Sequence, residues 1–579
     1  METIKSLIPG DPKNTLNPQW WQEAVIYQIY PRSFKDGNGD GIGDLAGILS
    51  KVDYIAGLGI DTVWINPIYV SPNRDNGYDI SEYTAIAPEF GTMEELIRLI
   101  GNLHERKIRF IMDMVVNHTS DQHEWFRQAR SGRNNPYYHF YHWWPAEKGK
   151  PPCRYGFFDP AGEGWHYNTA TDSYYLHYFS EHQPDLNWEN PLLRQEIYKI
   201  LRFWLDRGVD GFRMDAITFI SKDTNFPVIS PETLKEKYRN DWGHYYATGP
   251  HLHEYLREMQ EEALEEYGAV TIAEGPGVRP EQALDFVDAD RKEMNMLTHF
   301  DGIMIGYQPG EFKKIDPAGY SVTECKTVYT RWSDTFKDRG WGTLYLGNHD
   351  QPRMVSRWGD DHPAFREPSA KMLFTFLLTM RCTPFIYNGD ELGMTNMRFG
   401  KIQDYKDIET LHSYQKIKSQ GGDTNAFLKD QQMAARDNSR TPFQWDASPR
   451  AGFTNGATTW IKVNDNHATI NAAAAEEDAA SILHYVRRLI QIRKEHRALI
   501  YGDYELLNPA DPEIYAYTRL LEGTGFFILL NFSKKERLFR YPSDLLKAGP
   551  VLNNYPEAPV IKEGQVILRP YHALVYDIG

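Results

Sequence analysis

The chain has 579 residues, 41% hydrophobic and 25% charged, the proportions of a folded protein and not of a disordered or collagen-like one. Its 63 Lys and Arg against 79 Asp and Glu leave a formal charge of −16. That excludes a nucleic-acid partner, which needs clustered cations, and disfavours an anionic membrane surface. Three scattered cysteines, Cys153, Cys325 and Cys382, exclude a disulfide framework or a zinc cluster. With no secretory pattern in the first ten residues and no run of about 20 apolar residues, a cytoplasmic monomer without a membrane partner is expected.

Short apolar runs at 24–30, 62–67, 108–116, 211–215, 270–274, 344–350 and 383–390 predict strands. Helical spacing at 94–107 puts Leu96, Ile97, Ile100 and Leu103 on one face. At 196–207 it does the same for Ile197, Ile200, Leu201, Trp204 and Leu205. This alternation predicts an α/β fold with a parallel sheet, open or closed into a (β/α)8 TIM barrel. Residues 119–182, rich in aromatic residues, Gly and Pro, read as a loop-rich insertion after the third strand, and a second insertion falls near 391–471. After a last amphipathic helix (Leu483, Val486, Leu489, Ile490, Ile492), runs at 514–520, 525–532 and 565–568 predict a C-terminal all-β sandwich. The expected division is barrel 1–118, inserted domain 119–182, barrel 183–502 and β-domain 503–579.

Several predicted strands end in polar groups: Asp113 to His118, Asp215, Glu274, and Asn348 to Asp350. Polar groups converging at the carboxyl ends of parallel strands describe the mouth of a barrel active site. Arg213 precedes Asp215 by two residues, so on a strand both face one side, and the cation keeps the carboxylate ionised as a nucleophile requires. A partly desolvated Glu274 has a raised pKa and can act as acid, then base. Asp350, beside His349, supplies a third acid. Together these are the parts of retaining glycoside hydrolysis, although each acid alone also suits an ordinary polar strand end. Asp390 and Glu391 suit a structural role equally well. Between 36 and 44, Asp36, Asn38, Asp40 and Asp44 alternate with glycines and Ile42, like the first nine positions of an EF-hand calcium loop. Gly47 stands where that loop has its bidentate Glu, so the segment is not an EF-hand. The alternative is a Gly-Asp-rich turn without an ion.

The stretches Asp75-Asn-Gly-Tyr-Asp79, Asp113-Met-Val-Val-Asn-His118, Gln183-Pro-Asp-Leu-Asn187, Gly211-Phe-Arg-Met-Asp215, Glu274-Gly-Pro-Gly-Val278, Gly347-Asn-His-Asp-Gln-Pro-Arg353 and Arg436-Asp-Asn-Ser-Arg-Thr-Pro-Phe-Gln-Trp445 stand in that order. In them the sequence resembles glycoside hydrolase family 13, the α-amylase family, in its oligo-1,6-glucosidase and α-glucosidase branch, from Trp20 to the carboxyl end. The resemblance implies Asp215 as nucleophile, Glu274 as general acid/base and Asp350 as transition-state stabiliser. It implies His118 and His349 on hydroxyls of the terminal glucose, Arg213 orienting the nucleophile, Tyr78 stacked on the sugar and Phe179 as an apolar wall. Asp75 and Arg436 would pair to close the pocket behind that glucose. Read alone, His118 also suits a satisfied core histidine, and Asp75 with Arg436 a surface ion pair.

The resemblance further implies a structural Ca2+ on Asp36, Asn38, Asp40, Asp44 and the Ile42 carbonyl, and no organic cofactor. It implies short oligosaccharides as the small-molecule substrate. In that branch Val after the nucleophile accompanies α-1,6 cleavage, and Ala or Thr accompanies α-1,4. Ala216 therefore points to maltose-like substrates, unless it is only a small packing residue. Gly275 and the segment Asn388-Gly-Asp-Glu391 depart from the family pattern without touching the three acids. Sucrose isomerases share the branch but carry an Arg-rich loop before the third acid. Here 331–339 reads Arg331-Trp-Ser-Asp-Thr-Phe-Lys-Asp-Arg339, without that pattern. The fold also serves non-enzymatic transporter subunits, which need a membrane anchor.

Overall fold

The computed structural model describes residues 18–158, 164–238, 241–308, 313–540, 549–562 and 564–579. Eight short strands run parallel: β1 (Ile26–Ile29), β2 (Thr62–Ile65), β3 (Arg109–Val115), β4 (Gly211–Asp215), β5 (Val270–Gly275), β6 (Met296–His299), β7 (Thr343–Leu344) and β8 (Thr383–Tyr387). From β1 to β6 each pairs with the next in the chain, and β8 lies between β7 and β1. A parallel bridge between Leu297 and Gly342 joins β6 to the approach of β7, which closes the sheet into a TIM barrel. β1, β2, β4, β6 and β8 are buried throughout. Helices cover the outside and side chains fill the inside, so these strands are buried on both faces instead of alternating between buried and exposed positions.

Two expectations about strands need correction. β6 was not predicted, because Met296-Leu297-Thr298-His299 has little β-branched content and is a strand only by virtue of its neighbours on the barrel. The run 344–350 is mostly not a strand: the ladder stops at Leu344. Beyond it the Asn348 side chain accepts from the Asp350 N–H at 2.8 Å, turning the chain at the barrel mouth.

The helix Met93–Glu105 starts at Thr92, whose hydroxyl accepts from Glu95 N–H while the Glu95 carboxylate accepts from Thr92 N–H, a reciprocal cap. Its buried face is Leu96, Leu99, Ile100 and Leu103, and Ile97 is 47% exposed. At about 100° per residue, Leu99 falls inside the stripe and Ile97 falls outside it. The helix Pro191–Leu205 buries all five residues expected of it.

Between β3 and β4 lies a three-stranded antiparallel sheet, Trp143–Pro145, Ser173–Leu176 and Trp165–Asn168, more ordered than the expected loops. After β8 the chain makes two helices, Ile408–Ser419 and Thr424–Ala434. The C-terminal part is antiparallel β, in a five-stranded and a three-stranded sheet. Its central hairpin pairs Leu521 with Thr524, so Glu522 (φ 46) and Gly523 (φ 82) form a two-residue turn with both φ positive, the twist that suits a hairpin.

Candidate active site

Arg213 and Asp215 stand two apart on β4 and share its inward face. One nitrogen of Arg213 donates to Asp215 (2.6 Å) and to Asp113 on β3 (2.8 Å), and the other pairs with Glu274 on β5. Three neighbouring strands thus bring three carboxylates to one guanidinium. The second Glu274 oxygen accepts from Ala216 N–H at 2.8 Å. That N–H is presented because Ala216, the residue after β4, sits in the left-handed region (φ 44, ψ 30).

One cation does not balance three buried anions. Burial pushes Glu274 up to about 8 and Asp113 up to about 7 against the pull of Arg213, and Asp215 is raised as well. Asp350 behaves oppositely. Burial works against its charge, yet His349 (3.1 Å), Arg436 (3.2 Å) and Arg440 (2.9 Å) hold it well below the usual carboxylate range.

His349 is buried and stacks on Tyr78, with ring centroids 5.3 Å apart and planes 7° apart. Gln28 Nε2 donates to Asn66 (2.9 Å) and faces His349 Nδ1 (2.9 Å). Nδ1 is therefore the acceptor, and Nε2 carries the proton toward Asp350 and the Tyr78 hydroxyl (2.7 Å). Burial lowers the pKa of His349 against the pull of Asp350, and drops that of His118 to about 4, so the His118 ring is neutral. His118 Nε2 meets the Tyr78 carbonyl (3.1 Å) and the Gln183 amide (3.3 Å). Phe179 lies 4.8 Å from the His118 ring and stacks on Phe157 at 5.0 Å.

Asp75 accepts from Gln183 (3.1 Å) and Arg436 (3.1 Å). The Asp75 and Arg436 side chains are 5% and 7% exposed, which rules out a surface ion pair. Burial pushes Asp75 up to about 7 against the pull of Arg436. Arg436 also binds Asp407 at 2.6 Å and approaches Glu409 at 3.3 Å, so Asp75 is one of several partners. All the predicted substrate-site residues except the turn residue Ala216 join this network directly, and Ala216 joins it through its N–H.

The loop after β1 lies apart from it. Asp36 accepts from Asn38, Gly39 and Gly41 N–H, and Asp44 accepts from Gly37, Asn38 and Gly47 N–H. Asn38 and Asp40 accept from Asp40 and Ile42 N–H. The hard-oxygen set suits a calcium ion chemically. Among the described residues, however, no three His, Cys, Asp or Glu side chains are grouped to hold a metal.

Sequence reasoning missed Gln28, Asn66, Gln183, Asp407, Glu409 and Arg440 as site residues, and placed Asp113 at the barrel mouth without giving it a role. Gln28 carried a signal, the one polar side chain in an apolar strand. Asp113, Gln183 and Arg440 stood inside the motifs already singled out. Asp407 and Glu409 carried none. The segment 331–339 is also not a loop at the site. Its first part belongs to the helix Val322–Thr335, and Arg331 and Arg339 pair with Asp301 and Asp288. The approach to Asp350 is made instead by Lys313, which donates to the Asp350 carbonyl (3.2 Å) and pairs with Glu409 (2.7 Å). Asp390 and Glu391 are structural. Asp390 faces buried Arg353, and Glu391 accepts from Tyr27 and Tyr54.

A family model described as "Alpha amylase, catalytic domain" matches residues 28–502. The chain belongs to the α-amylase family. It is 48% identical to an oligo-1,6-glucosidase of Parageobacillus thermoglucosidasius over 96% of its length and 99% of that protein. It is 42% identical to an α-glucosidase of Pediococcus pentosaceus over 97% and 99% of the two chains. The crystal structure of an isomaltulose synthase from Klebsiella sp. LX3 superposes with a TM-score of 0.92 at 42% identity, covering 97% of this chain and all of that one. As a member of this family the chain is a glycoside hydrolase. No helix among its described residues is long and apolar enough to cross a membrane.

Proposed function

We propose that the chain is an exo-acting, retaining α-glucosidase that removes terminal glucose from short oligosaccharides. The preferred link is α-1,4, as in maltose and maltotriose, with sucrose and α-1,6 links cleaved more slowly. The observation that carries this reading is the grip of one guanidinium on both Asp215 and Glu274. Two carboxyls bound by one guanidinium are neighbours, which supports the close spacing, about 5–5.5 Å, that a retaining enzyme needs. Asp215 attacks the anomeric carbon and forms a glucosyl ester while Glu274, pushed up to about 8 by burial, protonates the departing oxygen. Glu274 then takes a proton from the water that opens the ester. Asp350, kept charged by His349 and its two arginines, accepts hydrogen bonds from sugar hydroxyls as positive charge grows at the anomeric carbon. His118, His349, Tyr78 and Phe179 frame the terminal glucose, and the buried Asp75–Arg436 contact ends the pocket behind it. Ala216 leaves room for the second ring of an α-1,4 substrate.

The loop of Asp36, Asn38, Asp40, Ile42 and Asp44 holds a structural calcium ion in this reading, supported by its alternating oxygens.

A second reading, sucrose isomerisation, is favoured by the likeness to the isomaltulose synthase. There the released fructose, and not water, attacks the glucosyl ester. Incubating the purified protein with maltose, isomaltose and sucrose and separating the products decides between them. Glucose from maltose, and glucose with fructose from sucrose, is expected. Isomaltulose or trehalulose as the main sucrose product would favour the second reading.

A further inference from the structure

Between the loop after β1 and the insertion after β8, a cleft of about 440 Å³ is lined by Lys35, Lys51, Trp445, Asp446 and Arg450. Its volume is that of a small-molecule site. Three cations face one carboxylate there, a local excess of positive charge on a chain of net charge −16. Lys35 donates to the carbonyls of Gly452 and Phe453. Lys51 lies 4.2 Å over the Trp445 ring. Neither Lys51 nor Arg450 forms an ion pair among the described residues, and the Arg450 Nε is buried with no hydrogen-bond partner. A buried donor left without a partner is costly. Arg450 and Ala451 also sit consecutively in the left-handed region, at φ 60 and 57. That conformation is unfavourable for residues with a Cβ and persists where the surroundings impose it.

We infer that this cleft binds a phosphate group, carried by inorganic phosphate or by a phosphorylated sugar. A compact dianion offers oxygens to the idle donors of Lys51 and Arg450 and to the remaining Lys35 proton, and charge-assisted bonds of this kind are the strong ones. It also answers the burial that lowers the pKa of Lys51. The occupant joins the first barrel loop to the segment that follows Arg436 and Arg440, the two arginines on Asp350. The barrel's catalytic carboxylates take no part in it.

The test uses the full chain at low ionic strength. Inorganic phosphate, glucose 6-phosphate, glucose and chloride at matched ionic strength are titrated by calorimetry and by thermal melting. The same titrations are run on the double variant Lys51→Met/Arg450→Met. Phosphate should bind the wild type and raise its Tm, with an affinity that falls as salt is added. The double variant should bind phosphate at least about tenfold more weakly while keeping wild-type kcat/KM on maltose. Tighter binding of glucose 6-phosphate than of phosphate and glucose separately assigns the phosphorylated sugar, and equal binding assigns phosphate alone. No phosphate binding, binding undiminished in the double variant, or an equal shift with chloride would overturn the assignment.

Discussion

Glu274 and Asp215 share one cation, and the chemistry depends on which of them holds a proton. Glu274 is pushed up to about 8 by burial, so the acid form is present at neutral pH and lost as pH rises. The kcat/KM profile on maltose should therefore fall on its basic side through about pH 8; a profile flat to pH 10 would contradict the assignment. The sign also applies to stability. Glu274 rises from an ordinary value of 4.5 to about 8, so the folded state binds a proton that the unfolded chain releases. That contribution is lost as pH climbs between those values. Replacing Asp215 with Ala should lower turnover by about ten-thousand-fold or more and leave the melting curve intact, since it removes one of three carboxylates crowding one guanidinium. Ala216→Val tests linkage preference. The left-handed backbone at 216 strains a β-branched residue, so absolute rates will fall with the folded fraction. The ratio of kcat/KM for maltose to that for isomaltose is independent of that fraction and should shift toward isomaltose, by a factor within about 10–200. An unchanged ratio would make Ala216 a packing residue only. The three acids were legible in the sequence because each ends a short apolar run. The Gln28–His349 contact that fixes a tautomer was not, because nothing local marks two residues 321 apart as partners.

At the scale of elements, the Asp75–Arg436 contact proposed to close the pocket is built by segments that meet only in the fold: the loop after β2 and the insertion after β8. Arg436 serves Asp75, Asp350, Asp407 and Glu409, so removing it strands several buried charges and costs about 3–5 kcal/mol. Asp75→Ala is the cleaner probe of the closed end. It should keep the fold, raise KM for maltose and improve maltotetraose relative to maltose, measured as a kcat/KM ratio. A ratio unchanged from wild type would remove Asp75 from the closure. The loop after β1 carries a separate prediction. Chelation should lower the Tm, since an ion that binds only the folded state stabilises it by mass action, with little loss of activity while the chain stays folded. Immediate inactivation of folded protein would contradict a purely structural ion. The helix periodicities were legible because burial follows the 3.6-residue repeat. The strand β6 was not, because its four residues owe their conformation to pairing with β5 and with Gly342 before β7 and not to their own propensity.

Across the whole molecule, a buried arginine that binds carbonyls joins the C-terminal sheet to the barrel, and a second one ties the last barrel helix to the elements beside it. Arg519, on the strand Ile514–Leu521, donates to Thr379, Leu499, Ile500 and Gly502. Arg493 donates to Leu378, Met380, Cys382 and Leu499. The alternation of strands and helices made the barrel legible, but nothing in the sequence marked Arg519 as a joint, because a buried arginine with only carbonyl partners has no local signature. The most direct test of the central claim is proton NMR of the glucose released from p-nitrophenyl α-glucoside, whose leaving group is not itself a glucose. Close carboxyls acting through a glucosyl ester predict that α-glucose appears first and mutarotates slowly to the β form. β-Glucose appearing first would contradict it.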